Sequence, residues 1–279
     1  MGASCHGECG KCPTEATSAP PPVSITGEPF HDPKTIIEGV DKWFISPEYA
    51  VHPTGYQDPQ IKGKRFAVLG SGPSSGITAP LAIQASDMIA CTNNSWQLAM
   101  IFADRVPDVY FASDAMIFPV LRDTVRWMYK HNTMILTLQG ILAAMQSECG
   151  VKPYDIILQP AKQSGKPWIP GHYTHCHTSG GMLTQWLINN GASEVHLAGF
   201  DGYQSGPYTR TIDTFDHRIG DPKGEALTSG FHGPFIRSLA ENVIDTEVYF
   251  YGTPHYALSE GPHFHHVTGP AAPETTKDV

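Results

Sequence analysis

Apolar runs of about five residues alternate along this chain with longer stretches of helical spacing. Arg65-Phe66-Ala67-Val68-Leu69 predicts a strand that stops at Gly70-Ser71-Gly72-Pro73-Ser74. Residues 77–85 read as a helix, Met88–Thr92 as a second strand, and a helix follows from Trp96 after Asn93-Asn94. Residues 108–112 give a third strand ending at Ser113-Asp114, then a helix over 117–130 and a fourth strand over 133–138. A short strand over 155–158, a helix over 178–190 closed by Gly191, a strand over 195–199 ending at Asp201, a helix over 234–244 and a last strand over 247–251 complete the pattern. Strand and helix in alternation bury both faces of a parallel sheet.

The expected fold is therefore α/β, a Rossmann-like three-layer sandwich with a mainly parallel sheet and irregular arms at both termini. Residues 1–28 hold Cys5, Cys9 and Cys12 and then a Ser/Thr/Ala/Pro stretch, a composition that buries too little apolar surface to fold alone. Residues 29–62, with Trp43, Phe44 and Tyr49, read as an irregular arm, 63–261 as the Rossmann-like domain, and 262–279 as a C-terminal tail. The run His263-Phe264-His265-His266 falls in that tail.

Composition narrows the function. With 18 Lys and Arg against 27 Asp and Glu, the formal charge is −9, the wrong sign for a general nucleic-acid coat. No apolar run reaches the ~18 residues of a membrane span, and the N-terminus lacks an apolar signal core. Six cysteines in 279 residues make no disulfide framework, so the expected location is the cytoplasm, with peripheral membrane association left open. Cys5-x3-Cys9-x2-Cys12 has the spacing of a radical-SAM cluster motif, but that chemistry needs a surrounding barrel. Ahead of a Pro-rich linker it reads as a disordered tail, with a loose zinc site as the alternative.

In doubly wound sheets ligands bind outside the carboxyl ends of the strands. Four polar clusters fall there: Gly70–Ser74, Asn93–Asn94, Ser113–Asp114 and Asp201–Tyr208. Glycines in the first let backbone approach a phosphate or sugar, and amides at a helix start favour an anion. It is neither the full dinucleotide fingerprint nor a phosphate-cradling loop ending in Gly-Lys-Ser/Thr. Thr178-Ser179-Gly180 opens a helix, where a hydroxyl caps the turn and further amides meet a polar group. Tyr203 and Tyr208, close together in a Gly/Pro loop, suit hydrogen-bond donation to an oxyanion. Asp201 suits a sugar hydroxyl. His232, between Gly230 and Gly233, reads as a loop histidine able to act as a general base. For each cluster an ordinary structural role as turn, cap or surface loop stands beside the functional one.

In this order the signatures resemble the bacterial sialyltransferases of glycosyltransferase family 42 and their wider Rossmann-like relatives. Gly70-Ser71-Gly72-Pro73-Ser74 is similar to that family's G-N-G-P-S loop, and Cys91-Thr92-Asn93 to its strand ending in a nucleotide-binding Asn. Thr178-Ser179-Gly180 and the stretch from Ala192 to Asp201 resemble its T-S-G to G-x-D segment. Asp201-x-Tyr203-Gln204-x-Gly206 with Tyr208 resembles its D-x-Y-Q-N-G loop. The resemblance covers residues 65–255. It implies a CMP-sugar donor held by Gly70, Ser71, Gly72, Pro73, Ser74, Asn93, Ser113, Asp114, Thr178, Ser179, Gly180 and Asp201. It also implies Tyr203 and Tyr208 on the departing phosphate and His232 as base towards a glycan or other hydroxyl acceptor. No metal or other cofactor is implied. The chain departs from the family at Cys176, where the family has Arg, and at Ser113, where it has Asn. Asp114 matches relatives that include enzymes moving a diphosphate from ATP to a pterin alcohol, an alternative in which Mg²⁺ bridges the phosphates. A non-catalytic nucleotide-binding protein on the same fold is the third reading.

Overall fold

The computed structural model describes residues 58–114, 118–138, 141–153, 155–157, 178–202, 212, 222–254 and 256–268, with backbone alone at 155–157 and 222–231. The strands are β1 (Arg65–Leu69), β2 (Met88–Thr92), β3 (Val109–Ala112), β4 (Met134–Leu138), β5 (Asp155–Ile157), β6 (Glu194–Ala198), β7 (Glu247–Tyr251) and β8 (Phe264–Val267). The helices are α1 (Ser75–Gln84), α2 (Trp96–Ala103), α3 (Phe118–Lys130), α4 (Leu142–Cys149), α5 (Ser179–Asn189) and α6 (Pro222–Asn242). A 3-10 turn over Asn93–Ser95 joins β2 to α2.

The eight strands form one sheet in the order β5-β4-β3-β2-β1-β6-β7-β8, and every neighbouring pair is parallel. The chain builds outward from β1 to β5, then crosses to lay β6 on the free side of β1. The order reverses between β1 and β6, the place where open parallel sheets open a crevice at the carboxyl ends.

Burial along the strands explains the layering. Val109–Ala112 is buried throughout and β1, β2 and β6 are buried at their last four positions, as strands covered on both faces must be. One face packs Phe66, Val68, Val195 and Leu197 against Leu183, Trp186 and Leu187 of α5 and Ile236, Leu239 and Ala240 of α6. The other packs Ala67, Leu69, Ile89 and Tyr110 against Ala79 and Ala82 of α1, Leu98 of α2 and Leu121, Val125 and Met128 of α3. Burying each large side chain contributes about 1.5–3 kcal/mol, and Trp186 is wholly enclosed. The α3 stripe of Phe118, Leu121, Val125 and Met128 matches the spacing read from the sequence, while Arg122, Asp123 and Arg126 face outward.

Three elements differ from the expectation. The last helix starts at Pro222, twelve residues before the expected start, so Pro234 lies inside it and His232 is helical rather than a loop residue. Pro234 is exposed on this helix and, lacking an amide hydrogen, makes no bond to the carbonyl four residues back. β8 pairs with β7 through Val248↔Phe264 to Tyr251↔Val267, so the sheet runs past the boundary expected at residue 261. Both Glu247 oxygens hold it, meeting His263 Nδ1 at 2.8 Å and His265 Nε2 at 2.6 Å. Helix α4, over Leu142–Cys149, stands where none was expected. No helix among the described residues is long and apolar enough to cross a membrane.

Candidate functional site

The carboxyl ends of β1, β2, β3 and β6 converge on the amino end of α5. From β1 the chain turns through Gly70–Ser74 into α1. This loop is tied to the end of β6 by backbone: the Gly70 amide donates to Ala198 O at 2.8 Å and the Gly72 amide to Gly199 O at 2.9 Å. A Cβ on Gly72 would lie 2.5 Å from the Gly199 oxygen and 2.8 Å from Asp201 Oδ2, so only glycine allows the approach.

Asp201 closes the bracket. Its Oδ2 accepts the Ser74 amide at 2.8 Å and its Oδ1 accepts the Ser74 hydroxyl at 2.6 Å. Thr78 donates to the Ser74 carbonyl at 3.0 Å from one turn into α1. The carboxylate is 2 % exposed. Negative charge therefore already sits at the amino end of α1, where the dipole favours it. The sequence suggested that this helix start offers amides to a phosphate; here the Ser74 amide serves Asp201. The sequence also suggested that Asp201 holds a sugar hydroxyl; each of its oxygens here accepts one hydrogen bond from Ser74, out of about four acceptor positions on a carboxylate.

Asn93, just after β2, takes a left-handed conformation, φ 48°, which Asn adopts more readily than most residues. The turn is fixed by Ser95 Oγ, which accepts the Thr92 amide at 2.9 Å and donates to the Thr92 carbonyl at 2.8 Å. The Asn93 Oδ1 is buried and meets no hydrogen-bond donor among the described residues. A buried acceptor left so costs about 1–3 kcal/mol, a cost that a bound donor would relieve.

Ser113 follows β3, with the Ala112 carbonyl before it pinned by the Thr137 hydroxyl at 2.9 Å. Ser113 Oγ lies 2.5 Å from Ser179 Oγ, in the first turn of α5. Thr178 caps that helix, its hydroxyl accepting the Gly181 amide at 3.2 Å. Ser113, Thr178, Ser179 and Gly180 thus form one half-buried polar group at the positive end of α5. Asp114 follows Ser113 and is exposed.

His232 is half-buried on α6. Its ring meets Phe200 edge-on, centroids 6.4 Å apart, and Tyr256 at 6.5 Å. Phe200 is the residue before Asp201, and a Cβ on Gly180 would lie 2.7 Å from its ring. The histidine thus borders Phe200, just past the end of β6, the same ring that Gly180 of α5 faces. Tyr203, Tyr208 and Cys176 lie outside the described residues, as do Cys5, Cys9 and Cys12.

Reading the sequence missed Tyr256, whose hydroxyl donates to the Phe200 carbonyl at 2.5 Å. Burial pushes its pKa up, and the Asp201 charge adds to that. It stands in an irregular stretch after β7 with no motif around it. The one available signal was an aromatic residue in a Gly/Pro-rich loop close to the last strand.

No known protein-family model matches this chain, and no curated protein matches it by sequence. Among solved structures it is similar to the MAf glycosyltransferase of Magnetospirillum magneticum AMB-1, with TM-score 0.47 and 14% identity over 79% of this chain. The chain spans 35% of that protein's length. It is also similar to the monofunctional α-2,3-sialyltransferase Cst-I of Campylobacter jejuni, with TM-score 0.41, 11% identity, and coverage of 72% of this chain and 79% of that one.

Proposed function

We propose that this chain is a nucleotide-dependent group transferase, in its finer form an inverting, metal-independent glycosyltransferase using a CMP-sugar of the sialic acid type. The observation that carries the reading is the Ser113–Ser179 contact and the Thr178 cap at the α5 start, with Asn93 after the neighbouring strand β2 carrying a buried oxygen that meets no donor among the described residues. An amino group on a pyrimidine base is a donor of the kind Asn93 Oδ1 lacks. The α5 amino end and its hydroxyls suit the phosphate and sugar of the nucleotide. Asp201 acts in this reading as the clasp that holds the first loop to β6 through Ser74.

The transfer runs as a single displacement. The acceptor oxygen attacks the anomeric carbon, the bond from that carbon to the phosphate oxygen breaks, and the phosphate keeps the electron pair. His232 takes the proton from the attacking hydroxyl. Tyr203 and Tyr208, in the segment after Gly202, donate hydrogen bonds to the phosphate as charge grows on it. Attack opposite the leaving group inverts the anomeric centre.

The test is nucleotide binding by calorimetry. CMP is expected to bind more tightly than UMP or AMP, and Asn93→Ala to weaken CMP roughly tenfold, the scale of one buried hydrogen bond. Equal affinity for all three, or an unchanged Asn93→Ala variant, overturns the assignment of the base to Asn93. ATP binding that requires Mg²⁺ and is lost in Asp114→Asn would favour the diphosphotransferase instead, for which the exposed Asp114 at the end of β3 speaks.

A further inference from the structure

His232 is a side chain on a long helix, and a general base must stay within hydrogen-bond reach of its proton donor. What holds its ring is therefore a functional question. Two aromatic residues flank it: Phe200, at the end of β6, and Tyr256, beyond β7. Tyr256 is itself anchored on both sides. Its ring packs edge-on against the buried Phe250 at 6.4 Å, and its hydroxyl donates to the Phe200 carbonyl. That carbonyl is one peptide away from Asp201, the clasp of the first loop.

Gly233 shows how closely Tyr256 fits. A Cβ there would come within 3.2 Å of the Tyr256 Cβ and 3.4 Å of its Cγ. The residue after His232 thus has to be small for α6 to reach the tyrosine. Because burial raises its pKa, the Tyr256 hydroxyl keeps its proton and remains a donor over the accessible pH range.

We propose that Tyr256 is the positioning residue of this site: its ring seats the His232 imidazole, and its hydroxyl locks the Phe200–Asp201 strand end at a fixed distance from that base. This rests on His232 being the base, as argued above. Tyr256 touches no substrate and transfers no proton. It couples two elements, α6 and the end of β6, that each carry part of the site.

The experiment compares wild type, Tyr256→Phe and His232→Ala, by donor turnover and by following the His232 imidazole signals in a ¹H–¹⁵N spectrum of the whole chain. Tyr256→Phe keeps the ring and removes the hydroxyl bond to Phe200. It is expected to lower kcat about 10- to 100-fold with the donor KM unchanged, and to shift the His232 signals. A kcat like wild type and unmoved His232 signals, with His232→Ala inactive, overturns the proposal. Full turnover in His232→Ala instead overturns the reading of His232 as base, and the imidazole signals alone then judge whether Tyr256 seats the ring. Should Tyr256→Phe fail to fold, Gly233→Ala presses on the same ring from α6 and is read in the same way: a kcat loss with shifted His232 signals supports the proposal, and neither change overturns it.

Discussion

Asp201 and Ser74 stand 127 residues apart in the chain and make two hydrogen bonds with each other. Each residue alone was visible in the sequence, one ending a Gly-rich turn and the other ending a strand. Their pairing was not, because a contact over that separation depends on β1 and β6 being neighbours, which no local pattern encodes. Asp201→Asn keeps the shape and removes the charge from a buried, doubly bonded carboxylate. It is expected to lower stability by about 1–3 kcal/mol in chemical denaturation. Stability equal to wild type would show that the clasp contributes nothing. His232→Ala is a different kind of change, at a half-buried side chain. It is expected to cut turnover on the order of 10²–10⁴-fold, with the melting temperature near that of wild type. Asn93 was a candidate from its place after β2, but its left-handed backbone and its buried Oδ1, without a donor among the described residues, needed coordinates.

The strands buried on both faces were the easiest elements to read, since β1, β2, β3 and β6 are short, mostly apolar runs between polar turns. Edge elements were harder. β8 reads Phe-His-His-Val, and its place in the sheet depends on partners in β7 rather than on its own propensity. Tyr249 sandwiches between His196 and His265, with ring centroids 4.7 and 4.8 Å away, and Glu247 bridges His263 and His265. Hydrogen bonds from His263 first, then His265, hold the Glu247 carboxyl below its ordinary range. A carboxyl depressed in the folded state stabilises above its unfolded pKa and loses that contribution as pH falls through the folded value. Wild type is therefore expected to melt higher than Glu247→Gln at neutral pH, with the gap closing below about pH 4.5. A gap that stays constant through acid would show that the ionised carboxylate does not hold β8.

Buried His196 behaves in the opposite chemical sense with the same direction of pH. Burial lowers its pKa, opposed by Glu194, whose Oε2 lies 3.0 Å from Nε2. The unfolded chain then binds the proton more readily, so folding stability falls as pH drops below the unfolded histidine value of about 6.5. His196→Gln is expected to flatten that part of the stability curve, measured by thermal melts from pH 7.5 to 5. An unchanged slope would assign the acid loss to other groups.

At the scale of the molecule, alternation of strand and helix gave the class of fold and the layers. The reversal between β1 and β6 then puts the ends of β1, β2, β3 and β6 on one edge. That edge was legible because each of these strands stops at a polar cluster, and polar stops at the same end of parallel strands gather by geometry alone. The long α6 was not, because Gly230, Gly233 and Pro234 imitate a loop in sequence while the helix passes through them. A helix start at Pro234 is what local preference favours, and the helix begins instead at Pro222, which is itself a proline at a first helical position.

The central claim, transfer from a CMP-sugar without metal, is tested most directly by nucleotide release from CMP-, UDP- and GDP-sugars and from ATP, each with Mg²⁺ and with EDTA. The account predicts slow release of CMP from CMP-sialic acid that persists in EDTA and is lost in His232→Ala when an acceptor is supplied. AMP formed from ATP only with Mg²⁺ and a pterin alcohol, or no release from any donor, would contradict it.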